Sequence, residues 1–228
     1  MVLPLLLVLA AAPATQTWKF GTEGTPAVHI ANVDGAVRVD GVDGNDVIFE
    51  VVREGAEKSR NEVEVQVVQT GDDIRARVCC GPCEEGRQTC RQKMQPVRFT
   101  VKVPRGTRLE VATVGGPVTV NGVAGAQELT TVGGRVEING SEERLAVSTV
   151  EGSVALAPRK FVTTSVTTVS GDVRLKLPAK ADVTVEFNTV SGRFNDSAAM
   201  MGSREKTYGA GTQSMEVSTV SGSLAVHP

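Results

Sequence analysis

The sequence predicts an all-β fold, a parallel β-helix (β-solenoid) with two short strands per coil, and three observations predict it. A four-residue corner recurs: Thr168-Val169-Ser170-Gly171, Thr189-Val190-Ser191-Gly192 and Thr219-Val220-Ser221-Gly222 are identical. Looser copies stand at Thr113 to Gly116, Thr131 to Gly134 and Thr149 to Gly152, with a distant one at Asn32 to Gly35. The corner valines are evenly spaced, 18 residues from Val114 to Val132 and again to Val150, then 19 to Val169 and 21 to Val190. The flanks alternate apolar and polar, as in Leu109/Val111/Thr113 before a corner and Val118/Val120 after it.

A period of 18 residues is too short for a helical repeat and too regular for a sandwich. It suits two strands of about five residues joined by two turns, at about 3.3 Å per residue. Such a coil cannot bury its own apolar face. Stacked about 4.8 Å apart, coils bond strand to counterpart strand and close a common core. The competing arrangement is an antiparallel sandwich of evenly spaced hairpins.

Each corner position has a local reason. The glycines (Gly35, Gly116, Gly134, Gly152, Gly171, Gly192, Gly222) are expected to turn the backbone at positive φ, where a Cβ clashes. Thr is in phase with the inward residues, which predicts a threonine ladder whose hydroxyls satisfy backbone groups freed by the turn. Val starts the bend, and Ser, Gly or Glu forms the tip.

In chain order, residues 1–14 hold an apolar run ending in Ala11-Ala12-Pro13-Ala14, which reads as a signal peptide cleaved after Ala14. Residues 15–27 are expected to be a linker. An irregular N-terminal β region, 28–108, caps the stack. Its strand signals are Val28 to Asn32, Ala36 to Asp40 and Val47 to Val52, then a charged loop from Arg53 to Glu62. A hairpin follows, Val63 to Val68 and Ile74 to Val78 around Thr70-Gly71-Asp72-Asp73. Val97 to Val103 alternates at strict period two and ends at Pro104-Arg105-Gly106. The repeats fill 109–228, interrupted between Val190 and Val220 by an insertion, 195–213, that contains the only tyrosine, Tyr208. It is expected to form a binding surface or, preferably, a cap over the last coil's edge.

Cys79, Cys80, Cys83 and Cys90 cluster in one loop (79–90), and in an exported chain they read as two disulfides. A bond between adjacent Cys79 and Cys80 is strained, which leaves the two pairings that join each of them to Cys83 or Cys90. The rivals are a zinc site, which lacks the paired C-x2-C spacing of structural zinc, and a redox-active pair.

With aromatics at 4% and a net charge of −2, the core is expected to consist of Val, Leu and Thr, with no bulk attraction to nucleic acid. Charge is nevertheless uneven. Arg75 to Arg108 carries nine basic residues against Glu84 and Glu85, a local +7 that leaves −9 for the remainder. Arg75, Arg77, Arg98 and Lys102 form a candidate patch for anionic glycan or lipid headgroups if they share one sheet face.

Two stretches, Val97 to Val120 and Tyr208 to Val226, resemble the bacterial putative-adhesin family of β-strand repeats, related to the head-GIN domain. The resemblance covers Val28 to the C-terminus, with the cysteine loop as a departure. It implies an exported parallel β-helix with an envelope-associated role, and it attaches no catalytic residues.

Exported β-helices also include polysaccharide-active enzymes, whose chemistry needs three or more acidic or basic groups converging in a groove. The outward positions here read mostly as Thr, Ser, Ala and Lys, and His29 and His227 lie near opposite chain ends. Asp34, Asp40, Asp43 and Asp46 lack calcium-loop spacing. The expectation is therefore a non-enzymatic envelope or surface scaffold, located in the periplasm, on the cell surface or secreted. No catalytic residue, metal, cofactor, transmembrane segment or nucleic-acid partner is expected. The partner is an unknown envelope component or an anionic glycan or lipid surface. The alternative is a self-assembling filament joined through exposed end coils such as Leu224 to Val226.

Overall fold

The computed structural model describes residues 14–54, 63–81, 83, 95–195 and 197–227. The expected signal peptide lies outside these residues up to position 13, as does most of the cysteine loop. Among the described residues the fold is all-β and solenoid-like, with eighteen strands and no helix. The irregular part contributes β1 (Ala14–Gly21), β2 (Ala27–Asn32), β3 (Val37–Val42), β4 (Asp46–Arg53), β5 (Val63–Thr70), β6 (Asp73–Cys80) and β7 (Val97–Pro104). The repeats contribute β8 (Arg108–Thr113), β9 (Val118–Asn121), β10 (Gln127–Thr131), β11 (Val136–Asn139), β12 (Leu145–Glu151), β13 (Val154–Ala157), β14 (Thr164–Ser170) and β15 (Val173–Lys176). Three long strands finish the chain: β16 (Val183–Phe194), β17 (Ser197–Tyr208) and β18 (Gln213–His227).

Strands before a corner and strands after it build two ladders that enclose the core. The first runs β5, β6, β2, β8, β10, β12, β14, β18, β16, β17. The second runs β1, β4, β7, β3, β9, β11, β13, β15, β18, β16, β17. Counterpart strands pair in parallel one repeat apart, so Leu129 lies beside Val111 on one side and Val147 on the other. An antiparallel sandwich has no such pairs. Antiparallel pairing is confined to the two ends, where β5 covers β6, β4 and β1 cover β7, and β17 covers β16.

Inward side chains form columns, one of them Ile30, Val111, Leu129, Val147, Val166, Val217 and Phe187, all buried. Burying each such side chain contributes about 1.5–3 kcal/mol before the cost of ordering the chain. At the outer end of the column Phe187 stacks on Phe194, with ring centroids 5.9 Å apart.

The expected linker is instead largely strand. Thr15 to Phe20 alternates, and β1 pairs with β4 so that Trp18 and Phe20 pack on the core, Phe20 edge-on to Phe49 at 6.3 Å.

Coil order in space departs from order in sequence. The coil of β18 lies between those of β14/β15 and β16, so the last repeat is an interior layer and β16 the outer one. The insertion supplies β17, which pairs with β16 and closes that end. The expected exposed final coil at Leu224 to Val226 is therefore absent: Leu224 pairs with Val173 on one side and Phe194 on the other. The edge that is exposed, β17, carries Arg204, Glu205 and Lys206, charges that oppose edge-to-edge pairing.

The corner threonines Thr113, Thr131, Thr149, Thr168, Thr219 and Thr189 are all buried in one column. The looser corners close by a local bond, Thr131 Oγ1 donating to the Gly133 carbonyl at 2.8 Å and Thr149 Oγ1 to that of Glu151 at 3.2 Å. At the identical Thr-Val-Ser-Gly corners β16 and β18 run through the bend in register, whereas β14 ends at Ser170. Thr168 and Thr189 Oγ1 have no partner, and Thr219 Oγ1 donates to the Val169 carbonyl at 3.4 Å.

The glycines carry a second correction. Gly152 does sit at φ 134°, but the glycines of the three identical corners are not in the left-handed region. What they need is space. A Cβ on Gly171 would strike the Gly152 carbonyl oxygen, one on Gly222 that of Gly171, and one on Gly192 that of Gly222. The coils approach so closely along this edge that only hydrogen fits between their backbones.

Candidate functional site

The first ladder's outer face begins with four strands, β5, β6, β2 and β8, whose register sets its side chains in rows. One row runs Val68, Arg75, His29, Glu110 and the next Gln66, Arg77, Ala31, Ala112. The alanines leave a dip between the longer side chains, a groove of about 370 Å³. Strict alternation places these residues outward, because Ile74, Ala76, Val28 and Ile30 between them face the core.

The two arginines differ in what they meet. Arg75 grips Asp73 with two hydrogen bonds, Nε to Oδ1 at 2.8 Å and Nη2 to Oδ2 at 3.1 Å. Those bonds hold the Asp73 carboxyl below the usual carboxylate range. His29 is held between carboxylates, with Nδ1 2.8 Å from Glu110 and Nε2 3.4 Å from Asp73. Arg77, by contrast, donates to neutral acceptors, Nε to Gln66 Oε1 at 2.8 Å and Nη2 to the Cys83 carbonyl at 2.7 Å. Among the described residues no carboxylate pairs with Arg77.

Cys83 is fixed in turn by a disulfide to Cys79, one of the partners left open by the sequence. The Cys80 side chain and Cys90 lie outside the described residues. The Cys83 amide also donates to Glu64 Oε2 at 3.0 Å. Cys83 thus presents its carbonyl to Arg77.

The four-cation patch does not form as one surface. Arg75 and Arg77 stand on β6 in the first ladder, whereas Arg98 and Lys102 stand on β7 in the second, with the core between them. The chain changes ladder at the cysteine loop, so residues about twenty positions apart point away from different sheets. Arg98 pairs with Glu54, and Lys102 lies in register beside Asp40. Partial burial pushes the Asp40 carboxyl up, but Arg38 and Asn121 hydrogen bonds and Lys102 outweigh it and hold the group low.

The outward positions, read from the sequence as mostly Thr, Ser, Ala and Lys, also hold carboxylates in adjacent places. Glu110 and Glu128 are neighbours in one outer row, and further along it Glu216, Glu186 and Glu205 are consecutive. Glu186 meets Glu205 across the antiparallel β16–β17 pair, and Glu216 joins them through the parallel register of β16 with β18. Among the described residues no group of three or more His, Cys, Asp or Glu is arranged to hold a metal ion. No helix there is long and apolar enough to cross a membrane.

Sequence reasoning missed His29, Gln66 and Glu110 as neighbours of Arg75 and Arg77. The antiparallel β5–β6 hairpin sets Gln66 beside Arg77, and the parallel register of β2 against β6 and β8 brings His29 and Glu110 to them.

A family model described as Toastrack DUF4097 matches residues 25–227. No curated protein matches the sequence. Solved structures that are similar include a "putative cell adhesion protein" from Clostridium sporogenes ATCC 15579, 12% identical, covering 95% of this chain and 99% of that one, TM-score 0.48. A "putative adhesin" from Bacteroides fragilis NCTC 9343 is 11% identical over 93% of this chain and 97% of that one, TM-score 0.40. A "putative lipid binding protein" from Parabacteroides distasonis ATCC 8503 is 10% identical over 94% and 97%, TM-score 0.33.

Proposed function

The chain belongs to the Toastrack DUF4097 family, and from that premise we propose that it is an exported, adhesin-like, non-enzymatic scaffold of the cell envelope. Its body is a parallel β-helix, and its groove around Arg77 takes an anionic glycan. The observation that carries this reading is the contrast between the arginines: Arg75 is neutralised by Asp73, whereas Arg77 is oriented by neutral acceptors. A guanidinium oriented in this way is preorganised for a carboxylate or sulfate, and its planar fork suits a bidentate contact. Gln66, His29 and Glu110 supply polar atoms for sugar hydroxyls, while Val68 and the alanine floor offer apolar contact.

Several ionisable groups converge in the groove, so a hydrolytic role has to be weighed. A general acid needs a carboxyl raised toward neutrality. Asp73 is shifted the other way by Arg75, and Glu110 is engaged by His29. That arrangement favours binding over proton transfer.

The experiment is calorimetric titration of the oxidised protein with oligogalacturonate at low salt, repeated for Arg77→Glu and for Arg98→Glu. The expected result is binding at roughly 10 µM to 1 mM that Arg77→Glu removes and Arg98→Glu leaves within about twofold. Binding that survives Arg77→Glu overturns the groove. Lipopolysaccharide retained in an Arg77-dependent manner without oligogalacturonate binding assigns the anion to a lipid headgroup and overturns the glycan.

A further inference from the structure

The corner valine is the one part of the repeated motif that folding leaves unexplained. Thr faces the core and Gly permits close stacking, yet Val points out. Val114, Val132, Val150, Val169, Val220 and Val190 are 43–56% exposed, and they make up most of the exposed large hydrophobic residues among the described ones. Their neighbours pair in register on both sides, Thr149 with Thr168 and Glu151 with Ser170, then Thr168 with Thr219 and Ser170 with Ser221. The valines therefore form one continuous rib, five steps of about 4.8 Å or about 24 Å long. Threonine would shape the same bend without exposing this apolar area. Half-exposed valines in such a row present about 450 Å² of contiguous apolar surface, the scale at which patches on soluble proteins are often functional.

We propose that this rib is a two-fold dimer interface in which the valine edges of two copies of the chain lie antiparallel. The pitch points to a second copy. An occupant that fills a rib with a fixed spacing along its whole length must carry the same spacing, and another copy does so by construction. The area agrees, because an apolar core of about 450 Å² per partner is what a standard interface of about 800 Å² per side contains. The charges agree as well. The residues that follow the valines are Gly115, Gly133, Glu151, Ser170, Ser221 and Ser191, so the rib carries a single charge. A two-fold axis between Val150 and Val169 sets Glu151 against the partner's Ser170, a hydroxyl that can donate to it, rather than against a second carboxylate. This association differs from end-to-end stacking of coils, since it uses the side of the solenoid and closes at two copies.

Sedimentation equilibrium from about 1 to 300 µM tests it on the oxidised full chain. The combined variant Val132→Thr, Val150→Thr, Val169→Thr, Val220→Thr keeps the β-branched shape, and its thermal unfolding is compared with wild type to confirm the fold. The expected result is a concentration-dependent dimer for wild type and a dissociation constant at least 30-fold weaker for the variant. Ser170→Glu, which opposes Glu151 across the axis, is expected to weaken the dimer at least 10-fold, whereas Ser170→Lys does not. A wild-type chain that is monomeric throughout, or a valine variant that dimerises as wild type does, overturns the proposal. So does a monomeric wild-type chain that binds phosphatidylcholine vesicles through the valines, which would make the occupant a lipid surface.

Discussion

Thr219 pairs in register with Thr168, although a third copy of the same motif, at Thr189, stands between them in the sequence. Thr189 lies on the far side of Thr219. After β15 the chain builds its outermost coil first, doubles back through β17, and then fills the vacant layer with β18. This order makes Leu224 an interior residue and leaves β17 as the edge.

The glycine column makes Gly171 and Ser170 opposites in cost. A valine at 171 drives its Cβ into the Gly152 carbonyl, and neither backbone can retreat without breaking coil pairing. Gly171→Val is expected to cost more than about 3 kcal/mol, the size reserved for overpacking and backbone strain. Ser170→Ala is expected to stay within about 0.5 kcal/mol, as a partly exposed residue whose hydroxyl bonds to none of the described residues should. Urea denaturation checks both.

Buried threonines should divide by their hydroxyl partners. Thr131→Val removes a bond to Gly133 and is expected to cost about 1 kcal/mol. Thr168→Val removes a buried hydroxyl that has no partner, so it is expected to be neutral or stabilising by up to about 1 kcal/mol. Equal destabilisation of the two would count against the two kinds of corner.

Much of this architecture was legible because repetition is a one-dimensional signal. Coil period, inward phase and the threonine column follow from counting between Val114 and Val169, since each coil meets only its neighbours. Counting fails where space and sequence part company. Nothing local tells that Thr219 enters between Thr168 and Thr189. The candidate patch failed for a related reason: period two places Arg77 and Lys102 outward, but not on which ladder. Arg77 itself was found through charge density, whereas His29 and Glu110 join it only through long-range register. The glycines were assigned the right importance for an incomplete reason, because backbone proximity between coils leaves no trace in local conformational preference.

The disulfide should matter to the groove beyond its effect on stability. Cys79 and Cys83 are four residues apart, and so short a loop contributes about 2 kcal/mol in the chain-entropy account. Arg77 donates to the Cys83 carbonyl, so loss of the bond also frees the guanidinium. Cys79→Ser with Cys83→Ser is expected to lower oligogalacturonate affinity at least fivefold at a temperature where the variant is fully folded. Unchanged affinity would separate the disulfide from the groove.

Acid should weaken the fold over a defined window. Arg75 hydrogen bonds depress Asp73, and in Glu142 the Lys160 hydrogen bond leads the depression. In Asp40 burial acts upward and is overcome by Arg38, Asn121 and Lys102. Depressed carboxyls bind protons less readily folded than unfolded. Their contribution is complete above the unfolded values of about 3.9–4.3 and disappears as pH falls through the lower folded values. Urea midpoints are expected to be insensitive to these groups from about pH 5 to 8 and to fall below about pH 4, less steeply for Asp40→Asn. An Asp40→Asn profile as steep as wild type would remove Asp40 from the account.

The rib rests on which coils are neighbours, and disulfide trapping tests that most directly. Ser170 and Ser221 are register partners, about 4.8 Å apart and within disulfide reach, whereas Ser170 and Ser191 are separated by a whole strand, about 10 Å. Peptide mapping after mild oxidation is expected to find the 170–221 bond in Ser170→Cys/Ser221→Cys and no 170–191 bond in Ser170→Cys/Ser191→Cys. Efficient 170–191 bonding without 170–221 bonding would contradict the stacking order and the rib derived from it.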